Sequence, residues 1–323
     1  MLHSNDFSPA WWLKNSHLQT IAAKWLRRHL HVKTLLETLE LPDGDFIDLA
    51  WTELPNNNTT KPIVVILHGL EGSKDSHYAK GMLNALKGNN WIGVLMHFRG
   101  CSGRENRQAR SYHSGDTADI TYFTEILQQR YQNTPLAIIG FSLGGNVLIK
   151  YLAEQPENPY LSAVSICAPL HLSSCSSRIN KGVSKLYQKY LVDMLKHSAE
   201  KKIIAQKITH INQAQLANIR TIRDFDQLLT APLNCFNDAD DYYQHASGRN
   251  HLHTINTPCL ILHAQDDPFL EHDEIVAVTN LPKSVRFEVS KHGGHVGFIT
   301  GRLPTKPHFW LEQRVPQFIA EHL

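Results

Sequence analysis

One short stretch of the chain combines residue types that could do covalent chemistry: Gly140-Phe141-Ser142-Leu143-Gly144-Gly145, a serine in a Gly-x-Ser-x-Gly pattern. A serine hydroxyl attacks a carbonyl poorly unless a base takes its proton, and that base works best when a carboxylate fixes its tautomer. His295, in Gly293-Gly294-His295-Val296-Gly297, is the candidate base, with His292 as the neighbouring alternative. Asp267 is the candidate acid, preferred to Asp266 beside it. Such a set performs acyl transfer, whose oxyanion needs backbone donors. The N–H of Leu143, just after the serine, is one. The N–H of Leu70, in His68-Gly69-Leu70-Glu71-Gly72, is the other. His68 itself reads as a structural hydrogen-bonding residue. The plain alternatives are a glycine-rich turn at 140–145 and a loop carboxylate capping a helix at 266–267.

These residues need elements to hold them. Apolar runs at 62–67, 91–98, 136–140, 161–168, 258–263 and 285–290 read as buried strands. Helical stretches at 76–88, 116–131 and 143–154 separate the first four, and a last helix is predicted near 307–322. Strand and helix in alternation predict an α/β fold with a mostly parallel central sheet and helices on both faces. Alternating segments at about 33–41 and 46–53 predict an antiparallel edge hairpin. From about 170 to 250 the strand runs stop and the sequence turns polar and helix-like. That predicts one α/β domain over 1–323 with a helical cap insertion at roughly 170–250. Ser142 then falls at a sharp strand-to-helix turn, where flanking glycines relieve collision and the helix N-terminus favours negative charge.

Composition narrows the class. The 323 residues are 42% hydrophobic and carry 32 basic and 30 acidic side chains, a net charge of +2. That balance argues against nucleic acid as a partner. Five cysteines, at 101, 167, 175, 235 and 259, form no Cys-x-x-Cys pair. Free thiols and a cytoplasmic location are the expectation. The 20 histidines invite a metal reading, but the tightest cluster, His251-x-His253, reads as surface, and no metal or cofactor is expected. No secretory signal or membrane-spanning run is present. Residues 11–30 can form an amphipathic helix with Trp11, Trp12, Leu18, Ile21, Trp25 and Leu26 as apolar positions; packing onto the domain is expected, with membrane contact the lesser reading.

The sequence resembles the YheT-type hydrolases of the α/β-hydrolase superfamily, relatives of the eukaryotic α/β-hydrolase-domain proteins. The resemblance runs almost end to end. It includes Trp11 to Thr20, His68 to Ser73, Ser76-His77-Tyr78 and Phe98 to Gly103. It continues through Ser111 to Gly115, Asp241-Tyr242-Tyr243, Asp266-Asp267-Pro268 and Gly293 to Phe298. His97 and Cys235 depart from the pattern, the latter standing where glycine or asparagine is usual. The resemblance implies the α/β-hydrolase fold and a carboxylic-ester hydrolase with Ser142, Asp267 and His295 as its triad. The substrate would be a small ester, lipid-like ones included. A thioesterase or lipase using the same triad, or a silent binding protein on the same fold, are the alternatives.

Overall fold

The computed structural model describes residues 2–3, 5–56, 58–271 and 281–323. Among the described residues nine strands form one sheet: β1 (Leu2–His3), β2 (Leu35–Glu40), β3 (Phe46–Trp51), β4 (Ile63–Leu67), β5 (Ile92–Met96), β6 (Leu136–Phe141), β7 (Tyr160–Ile166), β8 (Cys259–Ala264) and β9 (Val285–Ser290). Their order is β1-β9-β8-β7-β6-β4-β5-β3-β2. Pairings from β1 through β5 are parallel, while β3 runs antiparallel to both β5 and β2. The central strands β4, β5, β6 and β8 are buried along their whole length. A strand covered on both faces must be apolar throughout, and that is why they read as continuous hydrophobic runs.

Helices α1 (Ser16–Leu26), α2 (His77–Gly88), α3 (Ala118–Arg130) and α4 (Leu143–Glu154) precede or join these strands. Between β7 and β8 the chain makes a helical excursion: α5 (Leu172–Ile179), α6 (Ser184–Ile204), α7 (Gln213–Asn218), α8 (Ile222–Phe225), α9 (Ala231–Leu233) and α10 (Ala239–Ala246), with a π-helical turn at Asp226–Thr230 and a 3-10 helix at Gly248–Thr254. A hairpin of β10 (Ile299–Leu303) and β11 (Lys306–Phe309) leads into α11 (Leu311–Ala320). The expected final helix therefore starts later than 307, because residues 306–309 pair with β10 instead.

Two hydrophobic cores flank the sheet. One centres on Trp51, Phe123, Tyr151 and Phe287, the other on Phe141, Phe298, Met82 and Val315. A separate cluster of Val192, Ile208, Leu216 and Leu229 sits within the helical excursion.

The N-terminal helix corrects one expectation. It spans only Ser16–Leu26, and it buries Gln19 and Ala23 rather than its large apolar side chains. Trp12 is partly buried, but Trp11, Leu18, Ile21, Trp25 and Leu26 are all exposed. The physical reason is the pull of three hydrogen bonds on one side chain. Gln19 Nε2 donates to Leu13 O (2.7 Å) and Ile299 O (2.9 Å), and Gln19 Oε1 accepts from Ile299 N (2.7 Å). Turning Gln19 inward rotates the apolar stripe outward.

Candidate active site

Ser142 sits between β6 and α4 with φ 51° and ψ −120°. That backbone region is strained for a residue with a Cβ. The turn survives because its own amide is tied down and the residues two positions either side, Gly140 and Gly144, lack side chains. Ser142 N donates to Ile166 O on β7 at 2.8 Å. A Cβ on Gly140 would stand 2.4 Å from Gly144 O, and one on Gly144 would stand 2.5 Å from Leu67 O and His68 O. The Ser142 side chain makes no capping bond to its own helix, so its hydroxyl points free of α4.

The structure brings the three candidate side chains together. Ser142 Oγ lies 2.9 Å from His295 Nε2, and His295 Nδ1 lies 2.8 Å from Asp267 Oδ2. An ionised carboxylate only accepts, so Nδ1 carries the ring proton and leaves Nε2 to accept from the serine. Asp267 is buried, and its second oxygen, Oδ1, accepts from Phe269 N at 2.8 Å. Asp266 does different work: Oδ1 accepts from Gly294 N (2.9 Å) and Oδ2 meets His292 Nδ1 (3.2 Å), tying down the loop that bears His295. His292 thus lies away from Ser142 and pairs with the other aspartate.

The loop after β4 supplies the opposite wall. A Cβ on Gly69 would stand 3.2 Å from Ser142 Cβ, so this turn lies directly against the serine. Gly69 N donates to Tyr78 Oη (2.8 Å), Glu71 N to Tyr112 Oη (2.7 Å) and Gly72 N to Gly69 O (3.0 Å). Leu70 N–H has no protein acceptor among the described residues. Leu143 N–H, at the first position of α4, is one of the donors that a helix cannot satisfy internally. Both leucines line the same cavity as Ser142. His68 holds the turn from within: Nδ1 donates to Gly69 O (2.7 Å) and Nε2 accepts from Phe98 N (3.0 Å). Burial pulls its pKa down to about 3, which keeps the ring neutral and able to do both.

Several positioning residues escaped the sequence reading. His295 N donates to Thr20 Oγ1 at 2.9 Å, across 275 positions, and the His295 ring stacks on Phe269 with centroids 4.0 Å apart. Cβ atoms on Gly294 and Gly297 would each stand 2.5 Å from α1 backbone oxygens, Ser16 O and Gln19 O. The loop carrying His295 is therefore moulded against α1, through Ser16, Gln19 and Thr20 at the end of the Trp11 to Thr20 motif. On the far side, Asn146 of α4 donates to Ser114 O (2.8 Å) and Ala246 O (2.7 Å) and accepts from Gly248 N (2.8 Å). Tyr242 Oη accepts from Ser114 N at 2.9 Å. These bonds fasten the helical excursion to the helix behind the serine. Only the motif spacings hinted at them.

A cavity of about 800 Å³ lies between the serine and the helical excursion. Leu172, Ile179, Leu191, Met194, Leu195 and Leu229 give it a mainly apolar lining. The carboxylates of Glu71 and Asp226 stand among its polar lining residues. Glu71 accepts from Tyr112 Oη (2.9 Å) and Ser198 Oγ (2.6 Å), and burial raises its pKa. Asp226, raised to about 6 by burial, accepts from Tyr243 Oη (2.8 Å) and Thr230 Oγ1 (2.7 Å). Among the described residues, one grouping offers metal-type ligand atoms within 4.8 Å of each other: Cys167, Asp267 and His295. Its chemistry suits a metal poorly. Both His295 nitrogens are engaged by Ser142 and Asp267, and burial raises the Cys167 thiol, keeping it protonated. His251 and His253 lie in the 3-10 helix away from this grouping.

Comparison with known proteins agrees with this architecture. A family model described as alpha/beta hydrolase fold matches residues 62–302. The chain is 45% identical over 322 residues to the Escherichia coli (strain K12) protein YheT, provisionally named an esterase, covering 99% of this chain and 94% of that one. It is 30% identical over 258 residues to a Saccharomyces cerevisiae protein named monoacylglycerol lipase, covering 76% of this chain and 57% of the other. Among solved structures, the Pyrococcus furiosus esterase Pf2001 superposes with a TM-score of 0.58 at 16% identity, over 91% of this chain and 95% of that one. At that identity the likeness speaks to the fold alone.

Proposed function

This chain belongs to the α/β-hydrolase family, in its YheT-type branch, and on that premise we propose that it is a serine esterase, cleaving carboxylic esters through an acyl-enzyme on Ser142. Ser142 Oγ attacks the ester carbonyl as His295 Nε2 takes its proton. Asp267 holds the His295 tautomer and stabilises the imidazolium that forms. The oxyanion rests on the N–H groups of Leu143 and Leu70. His295 then gives its proton to the departing alkoxide. Water enters, loses a proton to His295 and releases the acid, returning the hydroxyl to Ser142. The helical excursion, residues 172–254, acts as the cap that closes the cavity over this site.

The observation that carries the reading is the unbroken chain of contacts from Ser142 Oγ through His295 to buried Asp267, at 2.9 and 2.8 Å. The apolar cavity beside it favours an ester with a hydrocarbon acyl or alcohol part. The test is labelling with a fluorophosphonate probe, followed by a p-nitrophenyl ester series of rising chain length. Wild type is expected to label, and Ser142→Ala to fold, to remain unlabelled and to lose on the order of 10⁴- to 10⁶-fold in turnover. Folded wild-type protein that neither labels nor hydrolyses any member of the series would overturn the proposal in favour of a binding role.

A further inference from the structure

Two helices turn bare apolar stripes to solvent at the same place. On α1, Leu18, Ile21 and Trp25 follow an i, i+3, i+7 pattern and are 53%, 47% and 65% exposed. On α6, Val183, at its N-cap, with Leu186 and Tyr190 repeats that spacing at 54%, 70% and 54% exposed. The helices touch: the His17 ring stacks on Tyr187 at 5.8 Å, and Lys24 Nζ stands 5.5 Å from the Tyr190 ring centroid. Spacing of this kind normally marks a buried face. Contiguous exposed apolar surface on a soluble protein marks an interaction site.

The charge around the stripes says what kind of partner fits. No acidic residue occurs between Asp6 and Glu37, a stretch in which Lys14, Lys24, Arg28 and Lys33 are exposed. None occurs between Glu157 and Asp193, where Lys185 and Lys189 flank Leu186 and are exposed; Lys189 is bonded to Asp193 at 2.6 Å. The whole chain is nearly neutral at +2, so this basic character is local. Apolar side chains, one of them tryptophan, in segments whose exposed charges are mostly lysine and arginine, two of them paired as Lys189–Asp193 and Lys181–Glu271, are the chemistry of a helix that lies in the headgroup layer of an anionic bilayer. A second copy would bring like charges face to face. The patch also borders the way into the cavity: Ile21, Lys24 and Tyr190 belong to both, although Ser142 lines the same cavity from within.

We infer that the paired stripes of α1 and α6 dock the protein on an anionic lipid surface, with the mouth of the cavity turned towards the bilayer. Docking goes beyond the proposed reaction and does not require it. Binding is therefore measured on the full-length Ser142→Ala protein, which leaves lipids intact. The assay is co-sedimentation with vesicles of phosphatidylcholine alone or mixed with phosphatidylglycerol. The protein is expected to pellet with the mixed vesicles, less with the neutral ones, and less again as salt shortens the Debye length from about 10 Å to about 3 Å. Adding Trp25→Ser and Leu186→Ser is expected to weaken binding about tenfold or more, since each removes a side chain that would enter the headgroup layer. In the otherwise wild-type enzyme the same pair should leave hydrolysis of a dissolved short-chain ester unchanged, because neither residue lines the cavity. Lys14→Glu with Lys185→Glu is expected to erase the preference for anionic vesicles. The inference is overturned if the protein pellets with neither vesicle, or if the Trp25/Leu186 pair pellets like its parent. It is equally overturned if light scattering finds a dimer that this pair disperses while vesicle binding is absent, which would give the patch to a second copy.

Discussion

Replacing Thr20 by valine tests whether α1 takes part in catalysis by holding the base. Thr20 Oγ1 accepts from His295 N at 2.9 Å and donates to Ser16 O at 2.9 Å. Valine keeps the shape and removes the acceptor, leaving a backbone N–H unpaired in a loop packed against α1. An orphaned donor of this kind costs about 1–3 kcal/mol. If that loss falls on the alignment of His295 in the transition state, at about 1.4 kcal/mol per tenfold, turnover drops by roughly 5- to 150-fold. Thr20 also lines the cavity, so KM is measured alongside turnover, and a change confined to KM would assign the residue to binding rather than to seating His295. The assay is steady-state hydrolysis of a short p-nitrophenyl ester alongside thermal melting. Thr20→Ser, which keeps the oxygen, should restore most of the rate. A Thr20→Val enzyme that melts lower yet turns over like wild type would refute the argument and make Thr20 a purely structural residue. Failure of serine to rescue would do the same for the hydrogen bond.

Three further expectations are open to direct measurement. Asp267→Asn should cost on the order of 10⁴-fold in turnover by favouring the wrong His295 tautomer, whereas Asp266→Asn should cost far less, since it loosens only the Gly294 and His292 contacts; kinetics of the two variants settle the order. Burial holds His68, His77 and His113 down at about 3 and His263 at about 4. With the folded pKa depressed, the stability these rings contribute is full above about 6.5 and is lost as pH falls towards the folded values, because the unfolded chain takes up protons first. Melting temperature should therefore decline as pH drops from about 6.5 towards 4, and His263→Leu, removing a ring whose two nitrogens find no partner among the described residues, should flatten that decline. Cys235→Gly should raise stability by up to about 1 kcal/mol in a denaturant titration, because Cys235 holds φ 63° just past the C-cap of α9, the left-handed position that glycine normally takes.

That last residue shows how sequence and structure divided the work. The departure at Cys235 was visible in the pattern, but its meaning was a backbone angle. The sheet was legible because β4, β5, β6 and β8 are buried on both faces and so write themselves as apolar runs. Ser142, Asp267 and His295 were legible as candidates because each follows a strand at the same sheet edge in the order Ser, Asp, His, an order that Asp266 and His292 fit equally well. The N-terminal helix misled for a physical reason. Periodicity reports where apolar side chains could pack, while the orientation of α1 is governed by Gln19 reaching a backbone 280 positions away. Thr20 was invisible on the same ground: a hydroxyl that accepts from one distant amide leaves no local signature. The β10–β11 hairpin was missed because Pro304 and Pro307 interrupt any alternation there.

The seam between α1 and the His295 loop also sets an order of assembly. Ser142 N finds its acceptor, Ile166 O, only 24 positions away, whereas Thr20 and Gln19 meet His295 and Ile299 at separations of 275 and 280. Contacts of such long separation carry the larger loop-closure cost. The serine turn can therefore form early, while the seat of His295 is completed only when segments far apart in the chain have come together.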